Sequence, residues 1–408
     1  MHLCDLTLAY TETSGGIRTY IDQKRRFLAE ETDHRHTLII AGKGDSVKRD
    51  GPLTVITVDS PVIPGCEPYR FFWRPDKLRA ALEETQPDAV ELGSFFISPW
   101  SAFRYRSERR AADKPCVVGA YFHTDLADAY FAHPIEEATD EILSWSDTLH
   151  RWGTKLSDVI GNRMENHFGG IFQRCDLTFA ATPAQARRLH HYGVGGTEII
   201  PLGVDTRLFH PSKRSDKMRQ EAFGAGENDI VLIYAGRLDV EKDVDLLADA
   251  FEALNLPNAK LVMMGEGPRR EDLEERAERV HGMQIRHYEK DKPTYAALLA
   301  SADIYVTAGP HETFGLSVVE AQACGLPVVG VKAGALTERV VDGTGRLVPE
   351  GDAEAFARAV EQIAPDRKTC GEAARRHIDE GGYGWDSSFR KLVDCYERAL
   401  EREAIPGS

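Results

Sequence analysis

Short apolar runs alternate with longer amphipathic stretches along the whole chain. In the first half HTLIIAG, LTVITV, PDAVELG and CVVGAYFH are apolar enough to be buried strands, each closed by Gly, Asp or Ser. DQKRRFLAEE and PDKLRAALEET between them read as helices. The second half repeats the pattern with IVLIYAG, AKLVMMG, ADIYVTAG and PVVGVKAG, separated by DLLADAFEAL, TYAALLASA and SVVEAQACG. Near-continuous apolar strands alternating with helices form a parallel sheet covered on both faces. Occurring twice, the pattern predicts an α/β chain of two Rossmann-like, doubly wound domains.

Periodicity lapses and Pro, Gly and charges cluster in PLGVDTRLFHPSKRSD, from Pro201 to Asp216, which marks the seam. The expected domains are residues 1–200 and 201–384. The tail from Trp385 onward is an amphipathic helix, with Phe389, Leu392, Tyr396 and Leu400 at helical spacing. Ala127 to Cys175 lacks strand signals and carries Trp145 and Trp152; it reads as long helices of the first domain.

Bulk composition narrows the function. A chain of 408 residues with 42% hydrophobic and 28% charged residues has the apolar content for two cores. A formal charge of −15 argues against nucleic acid as the main partner. RYRSERR, Arg104 to Arg110, is a local basic run, read either as a solvated helix face or as a basic patch. Seven scattered cysteines suggest neither a disulfide framework nor a zinc site, and fit a reducing compartment. The N-terminus has no basic, apolar leader and no stretch is long enough to span a membrane. The expectation is a cytoplasmic protein, with attachment to the inner face of the membrane left open.

Three segments of the second half carry chemistry. In IVLIYAGRLDVEKDVDLLADAF a strand ends at Gly236, and Arg237 and Lys242 come next, just before a helix. Free backbone N–H groups, the helix dipole and two cations make an anion site suited to a diphosphate. In GPHETFGLSVVEAQACGLPVV, Glu312 precedes the turn Thr313-Phe314-Gly315, and Glu320 comes eight residues later. With a helix starting near Leu316, the two carboxylates are spaced along one wall. The N–H groups of Phe314, Gly315 and Leu316 then face any anion between them. Carboxylates accept from sugar hydroxyls and amides hold phosphate, which makes a nucleotide-sugar template. The third segment, MMGEGPRREDLEE, has glycines that any strand-to-helix turn of this kind needs.

In order and interval, GRLDVEKDVDLL, GEGP and HETFGLSVVEAQACGLPVV resemble the retaining glycosyltransferase family 4, with its two-domain GT-B fold facing across a cleft. SGGIRTY, the HTD after CVVGAYF, and PLGVD extend the likeness to nearly the whole chain. The resemblance implies that Arg237 and Lys242 hold the donor diphosphate, that Glu320 binds ribose hydroxyls, and that Glu312 touches the transferred sugar. It implies backbone donation from Phe314, Gly315 and Leu316, a phosphate-approaching loop at Gly15 and Gly16, and His123 beside the reaction centre. It also implies that the C-terminal helix, 385–408, returns to the first domain. Two departures touch the sugar subsite: Gly309-Pro310-His311 stands where the family has Ser or Thr two residues before the glutamate, and Ala333-Gly334-Ala335-Leu336 replaces a two-glycine loop.

The resemblance further implies that a hexose is transferred with retention from a UDP- or GDP-sugar to an acceptor hydroxyl, with no metal or other cofactor. Asp243-Val244-Asp245 spells D-x-D, but at a helix start it reads as a cap or dipole partner. YFHTDLADAY is similar to a run in members that glycosylate lipids, and GCEPYRFFW has the aromatics to meet a membrane surface. A lipid such as diacylglycerol or a lipid-linked glycan is the favoured acceptor, with a soluble sugar or small molecule as the alternative. The rival classes are a nucleotide-sugar epimerase or hydrolase, a regulatory nucleotide-sugar binder, and an NAD-dependent dehydrogenase. The last is disfavoured because AGKGD lacks the third glycine of a dinucleotide fingerprint.

Overall fold

The computed structural model describes residues 1–11, 15–63, 69–123, 166–312 and 314–405. Most of the expected helical region Ala127 to Cys175 therefore lies outside the described residues, as do Gly65 to Pro68 of GCEPYRFFW, Thr124 of HTD and Thr313. The chain divides into two compact units: Met1–Pro201 with Phe389–Ser408, and Leu202–Ser388.

The first unit holds an eight-stranded sheet. Its strands are β1 (His2–Thr7), β2 (Arg35–Gly42), β3 (Ser46–Asp50), β4 (Leu53–Asp59), β5 (Ala89–Leu92), β6 (Val117–Phe122), β7 (Leu177–Ala180) and β8 (Glu198–Ile199). They lie in the order β3-β4-β2-β1-β5-β6-β7-β8, and only β3 runs antiparallel to its neighbour. The second unit holds β9 (Ile230–Ala235), β10 (Ala259–Met264), β11 (Met283–Arg286), β12 (Ile304–Thr307), β13 (Val328–Val331) and β14 (Gly345–Val348). Their order is β11-β10-β9-β12-β13-β14, parallel throughout. Numbered within the unit this is 3-2-1-4-5-6, the doubly wound dinucleotide-fold order. The first unit has the same winding, with β3 added at one edge and β8 at the other. Each sheet therefore reverses direction beside its first strand, between β1 and β5 and between β9 and β12. The loops leaving those strands open a crevice there.

The strands flanking each reversal are buried along their whole length. Among them β1 departs from the apolar-run expectation, because HLCDLT is interrupted by His2 and Asp5. The structure shows why a carboxylate is tolerated there. Lys24, on the helix Gly15–Glu31, places its buried ammonium 2.6 Å from Asp5 Oδ1 and 2.8 Å from Glu91 Oε1 on β5. Asp5 and Glu91 are partners in the β1–β5 register, so one cation serves two adjacent strands. His36 Nε2 lies 2.9 Å from Asp5 Oδ2, Tyr20 Oη donates to Glu91 Oε1 at 2.9 Å, and Tyr396 Oη donates to Glu91 Oε2 at 3.0 Å. Desolvation alone raises the Asp5 pKa, yet Lys24 and His36 more than offset it and hold the carboxyl below its usual range. Burial pushes the Glu91 pKa upward, against the pull of Lys24.

Tyr396 belongs to the C-terminal helix Trp385–Glu403, whose Phe389, Leu392 and Tyr396 are fully buried. Its hydroxyl lies over β6 at Gly119, where any Cβ would collide with the ring. That close approach accounts for a glycine inside the strand VVGAYF.

The RYRSERR run occupies the helix Ser98–Ala111 and does not form a free cationic patch. Arg106 and Arg110 both reach Asp176, at 2.7 and 3.0 Å, Arg109 reaches Asp88 at 3.1 Å, and Arg104 pairs with Glu108. Arg106, Arg109 and Arg110 join the helix to neighbouring elements. Phe72 of the aromatic segment is buried, while Trp73 is exposed. No helix among the described residues is long and apolar enough to cross a membrane.

Removing the shared cation should be costly. Lys24→Met leaves two buried carboxylates facing each other without compensation, and a broken buried pair costs about 3–5 kcal/mol. Urea unfolding of the full chain should show the first transition displaced by that amount, whereas Arg104→Met, on an exposed pair, should shift it by less than about 1 kcal/mol.

Candidate functional site

The second unit's reversal point gathers the charged residues singled out by sequence. After β9 the chain runs through Gly236 and Arg237 into a short 3₁₀ turn, Val240–Lys242, whose N-cap Asp239 accepts from the Lys242 N–H. Asp243 then takes a left-handed conformation (φ 46°), and the helix Val244–Glu252 begins. The segment packs against the GEGP turn: Leu238 N–H donates to the Glu266 carbonyl at 2.8 Å, and a side chain on Gly267 would strike the Leu238 backbone. Here, then, the glycine is a packing requirement.

After β12 the chain passes through Gly309, Pro310 and Glu312 to Gly315, which opens the helix Leu316–Ala323 in a left-handed conformation (φ 81°). Gly309 leaves room for Lys242, since a Cβ there would sit 3.0 Å from Lys242 Cδ. Lys242 Nζ reaches Glu312 Oε2 at 3.0 Å, and Glu312 Oε1 accepts from the Gly315 N–H at 3.1 Å. The two motifs are thereby joined side chain to side chain. Of the three expected backbone donors, the Gly315 N–H is engaged by Glu312, and Phe314 is buried. Arg237 pairs with Asp239 at 2.6 Å and with Glu241, so both cations are matched by carboxylates. Desolvation works against the Arg237 charge, but its bond to Glu241 holds the pKa above the ordinary value.

The departure at 333–336 has a structural account. Gly334 takes a left-handed conformation (φ 49°), and a Cβ would stand 2.6 Å from the Pro310 carbonyl and 2.7 Å from that of Glu312. Ala335 N–H donates to the Glu312 carbonyl at 2.8 Å. One glycine suffices for this backbone-to-backbone docking.

Glu320 lies one turn inside its helix, where Oε2 accepts from Tyr295 Oη at 3.1 Å and Oε1 lies 3.8 Å from Lys292 Nζ. Burial raises its pKa, against Lys292 and the Tyr295 bond. Sequence reasoning missed both partners. They lie on the helix Lys292–Ser301, whose TYAALLASA carries no charge; Asp291, accepting from the Thr294 N–H, and Pro293 in the first turn mark where that helix opens. In the D-x-D segment Asp245 takes a two-pronged contact from Arg269, at 2.8 and 2.9 Å, and Asp243 stands left-handed at the N-cap without a side-chain cap bond.

Gly15, Gly16 and His123 belong to the first unit. The glycines open the helix Gly15–Glu31, and His123 comes directly after β6. The His123 ring stacks on Tyr121 with centroids 4.3 Å apart and meets the edge of Tyr20 at 4.7 Å. Burial, with a smaller push from Lys24, lowers its pKa to about 3. The imidazole is therefore neutral near pH 7, an acceptor or a neutral donor rather than a cation.

Two wound sheets, the second carrying a joined Lys–Glu–Gly constellation at its reversal, are the architecture of the two-domain GT-B class. Residues 216–381 match glycosyl transferases group 1, and residues 14–208 match Glycosyltransferase Family 4. A GDP-mannose-dependent alpha-(1-6)-phosphatidylinositol dimannoside mannosyltransferase of Mycobacterium tuberculosis is 30% identical over 387 residues, 93% of this chain and 92% of that protein. A D-inositol 3-phosphate glycosyltransferase of Geodermatophilus obscurus is 31% identical over 58% of this chain and 57% of its own length. The solved structure of the sucrose-phosphate synthase of Thermosynechococcus elongatus superposes with a TM-score of 0.73 over 98% of this chain and 99% of its own, at 18% identity. The chain belongs to glycosyltransferase family 4.

The depressed His123 pKa has a sign that can be tested. The folded protein declines a proton that the unfolded chain accepts near pH 6.5, so His123 removes stability as pH falls from about 6.5 toward 3. In histidine-labelled protein the His123 ring resonances should stay at their neutral positions from pH 8 to pH 5. A midpoint near 6.5 would contradict the burial described.

Proposed function

We propose that the protein transfers a hexose, with retention of configuration, from a nucleotide-sugar donor to an acceptor hydroxyl. The carrying observation is the joined constellation at the β9/β12 reversal, where Lys242, Glu312 and Gly315 lie in sequence of contact beside Arg237. A donor diphosphate exchanges carboxylate partners for phosphate oxygens on Arg237 and Lys242. The N-terminus of the helix Leu316–Ala323 adds its dipole. As the diphosphate leaves, its growing charge is met by groups already in place, which is the largest contribution such a site makes. Glu320, held by Tyr295, accepts from ribose hydroxyls, and Glu312 faces the sugar. The acceptor hydroxyl attacks from the face the diphosphate leaves, and the departing phosphate takes its proton. Neutral His123 suits a hydrogen bond to the sugar. Two cations and a helix terminus supply the charge that a metal would otherwise bring, so turnover should persist in EDTA.

The mycobacterial relative favours GDP-mannose over a UDP-sugar, and its phosphoinositide acceptor favours a lipid-linked glycan here. A GDP-mannose-dependent alpha-mannosyltransferase of Corynebacterium glutamicum, 29% identical over 78% of this chain, supports the same donor. The basic run is consumed in ion pairs, and it is the relatives' acceptors that support a lipid here.

A panel of GDP-, UDP- and ADP-sugars read by thermal shift identifies the donor, since ligand at one hundred times its Kd stabilises by about 2.7 kcal/mol. With donor and acceptor in hand, Arg237→Ala and Lys242→Ala should each lower kcat by roughly 10²–10³-fold. Glu320→Ala should mainly raise donor KM, by about ten- to a hundredfold, because ribose is gripped alike in ground and transition states. Glu312→Ala should fall on kcat more than KM. Proton NMR of fresh product should show the donor's anomeric configuration. Near-normal kcat in both cation variants would sink the donor-site assignment.

A further inference from the structure

Arg339 is a buried arginine, 3% exposed, at the end of the short helix Leu336–Arg339. Its Nε donates to the Phe314 carbonyl at 3.0 Å, and its guanidinium lies over the Phe314 ring, 4.1 Å from the centroid. The other prong, Nη1, donates to Tyr383 Oη at 3.0 Å. Tyr383 is itself tied by its carbonyl, which accepts from the Val204 N–H at 2.7 Å. One planar fork thus spans the donor turn and a segment paired with the PLGVD stretch. A leucine or methionine would fill the volume without the cost of desolvating a cation. The geometry uses two directed donors and a flat face, which lysine lacks.

The consequence lies in one peptide plane. In a trans peptide unit the carbonyl and the following N–H point in opposite directions. By fixing where the Phe314 carbonyl points, Arg339 fixes where the Gly315 N–H points, and that N–H meets Glu312 Oε1 at 3.1 Å. The Glu312 carbonyl is fastened separately by the Ala335 N–H. We propose that Arg339 is a positioning residue of the donor site, aiming the Gly315 amide, which exchanges the Glu312 carboxylate for a diphosphate oxygen when the donor binds, while Tyr383 holds the guanidinium in register. This rests on the donor reading above and adds a residue to it.

The test measures GDP and GMP binding to the full-length chain by calorimetry, for the parent, Arg339→Lys, Arg339→Met, Tyr383→Phe and Lys242→Ala. An aimed amide serves the diphosphate and leaves the nucleoside monophosphate untouched. Arg339→Met should therefore weaken GDP by about tenfold, the loss of a hydrogen bond to a charged group, with GMP affinity and one-to-one stoichiometry unchanged. Arg339→Lys should fall between it and the parent, and Tyr383→Phe should show a smaller loss of the same kind. If Arg339→Met does not fold, Arg339→Lys and Tyr383→Phe carry the comparison. Parent-like GDP affinity in Arg339→Lys and Tyr383→Phe, with GDP binding lost in Lys242→Ala, overturns the proposal and leaves the donor site standing. So does reduced stoichiometry at unchanged Kd, the mark of a merely structural role. If Lys242→Ala also binds GDP like the parent, the donor reading fails and takes the proposal with it.

Discussion

A parallel sheet whose strand order reverses beside its first strand has one place where adjacent loops diverge, and that constraint organises each unit. In the second unit the diverging loops leave β9 and β12, and they carry Arg237 and Lys242 on one side and Glu312 and Gly315 on the other. Backbone N–H groups at the ensuing helix start have no partner one turn earlier, so the winding itself generates an anion-binding position. The glycines there answer to crowding. Gly267, Gly309 and Gly334 each stand where a side chain would press on a neighbouring loop, and Gly315 supplies a left-handed turn that most residues resist.

Much of this was legible in the sequence, for identifiable reasons. IVLIYAG, AKLVMMG, ADIYVTAG and PVVGVKAG are near-continuous apolar runs because both faces of β9, β10, β12 and β13 are covered. β1 was missed because Asp5 is reconciled with burial only by Lys24, nineteen residues on, a pairing invisible in a local window. β3, exposed at every position, and the short edge strands β11 and β14 have little apolar signal to offer. At the site, Arg237, Lys242, Glu312 and Glu320 announce themselves by standing beside glycines and helix starts. Tyr295 and Arg339 do not. Each reaches the site from another element, 25 residues from the group it contacts.

Lys24 in the first unit and Arg237 in the second meet their carboxylates in different ways. The first sinks a lysine between two carboxylates and surrounds them with tyrosine hydroxyls and a neutral histidine, a closed network in which each member is satisfied by another. Such a network fixes the helix Gly15–Glu31 and the strands β1 and β5 relative to one another. The second keeps Arg237 more than half exposed and pairs it with Asp239 and Glu241 at the rim. Exposed partners such as these are exchanged at less cost than a buried network like that around Lys24 is opened.

The burial of Tyr396 against Glu91 also sets an order of assembly. The unit that begins at Met1 is completed by Phe389–Ser408, while the unit Leu202–Ser388 is continuous. During synthesis the continuous unit can close first. The earlier one must wait with Glu91 lacking the Tyr396 hydroxyl and β6 lacking the helix that covers Gly119. At bacterial or eukaryotic elongation rates that wait is roughly 10–40 s. For that interval the nascent first unit presents an apolar sheet face to its surroundings, so the half of the protein made first is the half finished last.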